Sequence, residues 1–203
     1  MLTIGLTGGL ACGKSTVARR LEEKGCALVH ADLLGHEAIA PGGLAHAAVL
    51  AEFGQDLGDA GGQIDRQRLA ERVFDQPDRV EKLNELVHPH IRRRIREHID
   101  SFRRARPDGI LVVEAALLLE AFADPAIDKI VVIDCTEEQQ VARFGQKGGT
   151  AEEARRRMAA QMPRAERLAR ADYIIDASGS IDETLRQVDR LYEQLRNLKP
   201  RPG

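Results

Sequence analysis

The sequence predicts an α/β fold built on a parallel β-sheet. Short apolar runs rich in β-branched residues, which are typical of buried strands, recur between helical patterns. The first run leads into a glycine-rich turn, and a helical pattern and a second apolar run follow it closely. Strand, helix and strand joined by short connections form a βαβ unit, whose two strands are parallel.

Five apolar runs are the predicted strands of this sheet. Most of them are bounded by glycine or acidic residues, which favour turns over strands. The runs cover residues 2–7, 26–29, 110–113, 129–134 and 173–176. We therefore expect a five-stranded parallel sheet.

Helical patterns fill most of the remaining chain. They are predicted over residues 14–24, 137–162 and 181–198, and glycines interrupt the second of these. Residues 32–106 are predicted to be helical with no strand. Amphipathic helices are expected there over residues 66–74 and 81–102, the second restarting at His88-Pro89, because proline suits a first helical turn.

Length and composition indicate an ordinary globular protein. The 203 residues suit one domain with an inserted subdomain, and the net charge of -2 argues against a general nucleic-acid binder. We expect no membrane span, because no apolar run approaches about 20 residues, and a cytoplasmic protein, because the first residues lead directly into a strand pattern. Of three cysteines, Cys26 and Cys135 are expected in the core, and no pair has the spacing of a zinc or redox motif.

The turn after the first strand matches the phosphate-binding pattern GxxxxGK[ST] in full. Glycines let successive backbone N–H groups point into one concavity, and the following helix N-terminus adds positive charge. The lysine of such a loop reaches the β- and γ-phosphates, and its hydroxyl residue ligates Mg²⁺. Residues predicted to bind ATP are Gly8, Gly9, Leu10, Ala11, Cys12, Gly13, Lys14, Ser15 and Thr16, with Ser15 as the metal ligand and the Cys12 thiol incidental.

Three carboxylates follow predicted strands, at the sheet edge where α/β proteins bind ligands. Asp32 is expected either to deprotonate an acceptor hydroxyl or to cap the next helix. Glu114 is expected either to hold Mg²⁺ through water or to face solvent. Asp134 is interpreted as a helix cap.

Cations after the fourth strand indicate a mobile lid. Arg143 precedes a glycine-rich break and Lys147 lies within it, so both could approach a transferring phosphoryl group when the segment closes. The run Arg155-Arg156-Arg157 is interpreted as a solvated helix face, one or two of whose members could meet an anionic substrate.

These patterns divide the chain into three parts. A P-loop three-layer core is expected from residues 1–31, 107–142 and 169–203, and it would bind the nucleotide. A helical subdomain is expected over residues 32–106, inserted into this core, and a helical lid would cover residues 143–168.

Together the motifs resemble the dephospho-CoA kinase family. The combination of Ala-Asp after strand two, His-Pro, Leu-Leu-x-Glu and a late Ala-Asp-Tyr-Ile-Ile-Asp is more specific than the phosphate loop alone. The matching residues are Ile4-Gly5-Leu6-Thr7-Gly8-Gly9, Ala31-Asp32, Ile64-Asp65-Arg66, Leu69, Phe74, Leu83, His88-Pro89, Leu117-Leu118, Glu120, Arg143, Gln161 and Ala171-Asp172-Tyr173-Ile174-Ile175-Asp176.

The resemblance implies an ATP- and Mg²⁺-dependent kinase that phosphorylates the ribose 3′-hydroxyl of dephospho-CoA, the last step of coenzyme A synthesis. By position, Asp32 would handle the hydroxyl proton, and Lys14 and Arg143 would bind the transferring phosphate. The helical subdomain over residues 32–106 would bind the acceptor. The implied substrate-binding residues are Asp32, Arg66, His88 and Leu117. The expected partner is this small molecule, with no nucleic acid, and the protein is expected to be a monomer or a weak homo-oligomer.

The chain departs from the family pattern at four positions. The family often has glycine at Ala11, proline at Ala116, arginine at Lys147 and asparagine at Ala177. Lys147 keeps the positive charge but lacks the forked donors of a guanidinium. Ser178 could make the hydrogen bond that the asparagine would make. Other interpretations are a nucleoside monophosphate kinase, a GTP-dependent switch, for which no N/TKxD motif is present, or a binding protein without activity.

Overall fold

The computed structural model describes residues 1–73, 76–122 and 124–198, so Phe74 lies outside the described residues. Within them one parallel sheet has the strand order β2-β3-β1-β4-β5. The strands are β1 (Leu2–Gly8), β2 (Ala27–His30), β3 (Ile110–Glu114), β4 (Lys129–Asp134) and β5 (Tyr173–Asp176). The predicted α/β class and five-stranded parallel sheet are confirmed.

Ten α-helices are formed by the described residues, and a short 3₁₀-helix covers Gln55–Leu57. The α-helices are α1 (Lys14–Glu23), α2 (Ala31–Ile39), α3 (His46–Phe53), α4 (Arg66–Val73), α5 (Pro77–Ala105), α6 (Leu118–Ala121), α7 (Glu137–Gly145), α8 (Ala151–Ala159), α9 (Arg164–Ala169) and α10 (Ile181–Arg196). None of the described helices is long and apolar enough to cross a membrane.

The chain divides into two compact units, and the division falls inside α5. The first unit contains residues 1–30 and 98–203, and the second contains residues 31–97. Each unit has its own cluster of buried apolar side chains.

The core of the first unit lies around β1, the central strand, every residue of which is buried. Helices α1 and α10 pack on this sheet through apolar side chains, among them Val17, Leu21, Val188 and Leu191. A charged pair at 2.9 Å, between Arg20 of α1 and Asp189 of α10, joins the same two helices at their surface. This packing fixes the sheet, and the carboxyl ends of its parallel strands lie along one edge.

The second unit is helical, as its sequence pattern predicts. Its cluster is formed by residues of α2, α3, the 3₁₀-helix and α4, with Val49, Leu57 and Val73 almost fully buried. A single antiparallel bridge between Gly58 and Ile64 closes the glycine-rich turn.

Helix α5 differs from its prediction. It begins at Pro77 and continues through Pro89 without restarting at His88. Pro89 lies on the exposed side of the helix, where water can replace the backbone hydrogen bond that proline removes. The rule that proline suits a first helical turn holds here for Pro77 and not for Pro89.

Candidate functional site

The phosphate loop runs from the end of β1 into α1. Ala11 and Gly13 have positive φ angles of 53° and 97°, which bend the backbone around a concavity. Gly13 is the N-cap of α1 and forms no side-chain cap hydrogen bond. The first N–H groups of the helix therefore lack a capping side chain, and an anion at this end could accept their hydrogen bonds.

Lys14 and Ser15 lie in the first turn of α1. The Lys14 ammonium donates hydrogen bonds to the carbonyl oxygens of Gly8 and Gly9, at 3.0 and 3.1 Å. Its charge therefore lies over the loop. The Ser15 side chain is exposed and open to a ligand, whereas Thr16 is half-buried beside it.

The Cys12 side chain points into the core, so its thiol does not face the concavity of the loop. It is 1% exposed, and its Sγ lies 2.9 Å from the Sγ of Cys135, directly after β4. Gln140 of α7 is also buried there: its side chain lies against Gly9 and donates to the carbonyl of Cys135 at 3.4 Å. Buried side chains therefore support the loop from below.

Glu114, at the end of β3, is paired with His30, at the end of the neighbouring β2. The two residues are in register, and the Glu114 Oε2 lies 2.6 Å from the His30 Nδ1. Only 15% of the Glu114 side chain is exposed, so it is not a carboxylate that simply faces solvent. Sequence reasoning did not identify His30, because the contact depends on the strand order.

The interpretation of Asp134 as a helix cap is wrong. Thr136 caps α7 in a capping box with Gln139, and Asp134 instead accepts two hydrogen bonds from Arg164 of α9, at 2.8 and 2.5 Å. Asp134 immediately follows the apolar part of β4, so its side chain stays at the sheet edge and meets a cation from another helix. No spacing pattern in the sequence indicates Arg164.

Arg143 lies in the last turn of α7 and is half-buried. One of its terminal nitrogens donates to the backbone carbonyl of Ala177 at 2.8 Å, which anchors the side chain beside the end of β5. Lys147 is exposed.

Leu117, a predicted substrate-binding residue, is half-buried at the N-cap of α6, after β3.

A cavity of about 280 Å³ lies beside Gln140. Three arginines line it: Arg155 of α8, and Arg164 and Arg167 of α9. Arg167 is 4% exposed, and its Nε finds no partner among the described residues. Glu137 also lines the cavity and Arg164 is paired with Asp134, so its net charge is moderately positive and suits an anionic group.

Asp32, Arg66 and His88 belong to the second unit. Asp32 is exposed in the first turn of α2, and Arg66 begins α4, where its guanidinium donates to the His36 Nε2 at 2.7 Å. His88 is half-buried in α5, and burial, with a smaller effect of Arg92, lowers the pKa of its imidazole. His88 is therefore neutral at pH 7.

No group of three or more histidine, cysteine, aspartate or glutamate side chains suited to a metal ion occurs in the described part of the chain. A Mg²⁺ ion that enters with a nucleotide keeps several waters and takes only one or two protein oxygens. The exposed hydroxyl of Ser15, beside the open N-terminus of α1, fits that requirement.

Comparisons with known proteins agree with this arrangement. The family model described as dephospho-CoA kinase matches residues 2–183. A dephospho-CoA kinase from Geobacter metallireducens is 41% identical over 99% of this chain and 100% of its own. A crystal structure of the protein TT1252 from Thermus thermophilus, 29% identical, aligns with a TM-score of 0.77 over 96% of this chain and 97% of that one.

A solved structure with an assigned activity agrees as well. The dephospho-CoA kinase from Campylobacter jejuni is 25% identical and aligns with a TM-score of 0.66, covering 95% of this chain and 96% of its own. The family model, the relative and the structures all extend over nearly the whole chain and not only over the phosphate loop. The chain therefore belongs to the dephospho-CoA kinase family.

Proposed function

We propose that this protein transfers the γ-phosphoryl group of ATP to the ribose 3′-hydroxyl of dephospho-CoA. The products are coenzyme A and ADP, and the reaction is the final step of coenzyme A biosynthesis. The observation that carries the proposal is a complete phosphate loop, with an open helix N-terminus, in a chain that matches the family over residues 2–183.

Lys14 would act on the transferring phosphoryl group. Its ammonium donates hydrogen bonds to two backbone carbonyls of the loop itself. Phosphate oxygens are stronger acceptors than carbonyls because they are charged, so a bound nucleotide would draw the ammonium away. Positive charge would then lie where negative charge develops in the transition state.

Ser15 would contribute the protein oxygen to Mg²⁺. The charge of such an ion would help to neutralise the phosphates during transfer. Glu114 is a second candidate, acting through water, and its pairing with His30 would fix the direction of its carboxylate.

Asp32 would orient the acceptor hydroxyl and receive its proton. Its carboxylate is exposed in the first turn of α2, where an acceptor hydroxyl can reach it. Arg66, the neutral His88 and Leu117 would contact the acceptor. The guanidinium of Arg66 has donors beyond the one used for His36, so it can still bind a phosphate of the substrate.

Arg143 would complete the charge around the phosphoryl group, with residues 143–168 as the mobile lid. One of its donors is used for the Ala177 carbonyl, and the planar fork has four more. The basic cavity formed by α8 and α9 supports an anionic ligand in this segment. We place the reaction in the cytoplasm, in a monomer or weak homo-oligomer without a nucleic-acid partner.

A panel of acceptors tests the proposal. ADP release is measured with Mg-ATP and dephospho-CoA, adenosine, AMP, shikimate or no acceptor. We expect turnover with dephospho-CoA alone and a product phosphorylated at the 3′ position. Turnover with another acceptor would discard the proposed substrate, and ATP binding without turnover would favour the binding protein or the switch.

Replacing Asp32 by asparagine tests the acceptor side. Asp32→Asn removes the proton acceptor, and kcat is expected to fall by about 10² or more while ATP still binds. The matched control is Asp78→Asn, because Asp78 is also exposed in the first turn of a helix of the second unit. It loses the same charge and the same helix-end interaction, and its kcat should not change. Equal kcat in the two variants would remove Asp32 from the catalytic role.

A further inference from the structure

Cys12 and Cys135 form a pair of thiols that the kinase reaction does not use. Their sulfurs lie 2.9 Å apart although the residues are 123 positions apart in sequence. Both residues are 1% exposed, and both are free cysteines. One belongs to the phosphate loop and the other follows the strand β4 beneath it.

We propose that Cys12 and Cys135 form an internal disulfide when the protein meets hydrogen peroxide, and that this bond inactivates the phosphate loop. The disulfide itself is independent of the substrate, whereas its effect on activity rests on the proposed kinase function. Intracellular disulfides of this kind are transient and usually serve redox sensing.

The geometry favours the bond. A disulfide joins its sulfurs at about 2.05 Å, so the two atoms need to approach by less than about 1 Å. They already form a weak hydrogen bond with each other, so their side chains point towards one another.

The surroundings assign different roles to the two thiols. The hydrogen bond from Cys135 and, to a smaller extent, the charge of Lys14 lower the pKa of Cys12 against the opposing effect of burial. The pKa of Cys135 is raised by the same hydrogen bond and by burial. Because the thiolate is the reactive form, Cys12 is the thiol that attacks peroxide. Cys26, by contrast, is isolated, and burial raises its pKa to about 11.

A cavity that could admit a small oxidant lies close to this region. The basic cavity of about 280 Å³ is lined by Gln140, and the side-chain amide of Gln140 donates to the carbonyl of Cys135. Hydrogen peroxide is close to water in size, so it can enter a polar cavity of this volume.

The reaction balances with peroxide as the only oxidant. The Cys12 thiolate attacks one peroxide oxygen, the O–O bond breaks, and a sulfenic acid and water result once the leaving hydroxide takes a proton. The sulfur of Cys135 then attacks the Cys12 sulfur, its own proton leaves with the hydroxyl group, and a second water forms. Two thiols lose two electrons in total, and one peroxide is reduced to two waters.

The expected consequence is misplacement of the loop. A bond to the end of β4 pulls Cys12 inwards between Ala11 and Gly13, whose positive φ angles shape the concavity. A displacement of about 1 Å in groups that align a reaction can lower the rate by about 10²-fold.

Mass spectrometry tests the bond without using activity. The reduced full-length protein is treated with hydrogen peroxide, free thiols are alkylated, and the intact mass and peptide map are recorded. We expect loss of two hydrogens, a linked pair of peptides containing Cys12 and Cys135, and alkylation of Cys26 alone. Three alkylated thiols after treatment would overturn the proposal.

Variants and activity complete the test. The Cys26→Ala variant should still form the bond, whereas Cys12→Ala and Cys135→Ala should not. Kinase activity of the wild type should fall with peroxide and return with dithiothreitol, whereas Cys135→Ala should keep its initial activity after the same treatment. A disulfide that forms without loss of activity would overturn the inactivation. If the reduced protein does not phosphorylate dephospho-CoA at all, the proposed substrate fails, while the mass result still decides the disulfide.

Discussion

Single residues decide whether the phosphate loop keeps its shape. Gly13 has a φ angle of 97°, which a residue with a Cβ adopts only with strain, and an added Cβ would meet no atom within 4 Å. Gly25, just after α1, has almost the same φ of 98° and equally open space. Alanine should therefore be equally strained at the two positions, which differ in that only Gly13 belongs to the phosphate loop.

We predict that Gly13→Ala and Gly25→Ala lose similar stability and that only the first loses activity. Each should lower the free energy of unfolding by about 1 kcal/mol, because alanine is strained in the left-handed region. For Gly13→Ala, kcat/KM should also fall about tenfold to 10²-fold through displaced N–H groups. Urea unfolding and steady-state kinetics measure both quantities. Normal kinetics in Gly13→Ala would show that the loop still binds phosphate when the backbone shifts at this position.

The sequence predicts the residues of this loop because they are contiguous. Eight consecutive positions carry the pattern, and the flanking strand and helix can be identified locally. The contacts that support the loop could not be predicted in this way. Cys12 with Cys135, His30 with Glu114 and Asp134 with Arg164 are separated by 123, 84 and 30 positions, and each pair meets only once strand order and helix placement are known.

Among the elements, helix α7 affects both the stability of the fold and the geometry of the candidate site. Its N-terminus is held by the capping box of Thr136 and Gln139, and it carries Gln140 and Arg143. Helix α10 has the same kind of capping box, formed by Ser180 and Glu183. It packs on the core through its apolar face and carries none of the proposed site residues.

We predict that Thr136→Ala lowers both stability and activity, whereas Ser180→Ala lowers stability alone. Losing either cap should cost about 1 kcal/mol, because an N–H group in the first turn loses its acceptor. Fraying of α7 should loosen Gln140 beneath Gly9 and lower kcat/KM several-fold. Thermal unfolding and kinetics of the two variants provide the comparison, and an equal loss of activity in both would contradict a special role of α7.

The boundaries of the strands were predicted more closely than those of the helices. The five strands agree within a residue at each end, because a buried parallel strand is a continuous apolar run between polar residues. The start of α5 was missed because Pro77 and Pro89 both precede helical patterns, and local preference does not tell which one begins the helix. The short α9 was missed because six residues are too few to give a clear periodicity.

At the scale of the molecule, each unit has a separate apolar cluster. Leu57, in the 3₁₀-helix, is 1% exposed in the cluster of the second unit, and Leu195, near the end of α10, is 1% exposed in that of the first. Units with separate cores can open separately, with a free energy below that of global unfolding. Opening of the second unit would disorder Asp32, Arg66 and His88, which are proposed to bind the acceptor, and leave the phosphate loop folded.

We predict that Leu57→Ala and Leu195→Ala change hydrogen exchange in different parts of the chain. Each substitution removes a buried side chain of the same size and should cost about 2–5 kcal/mol. In Leu57→Ala the amides of α3 and α4 should lose protection while those of β1 and β4 keep it, and KM for dephospho-CoA should rise more than KM for ATP. In Leu195→Ala, protection of β1 and β4 should fall, because their cluster includes Leu195. Exchange measured by mass spectrometry on peptides from both units makes the comparison, and an equal loss of protection throughout Leu57→Ala would show that the two clusters unfold as one cooperative unit.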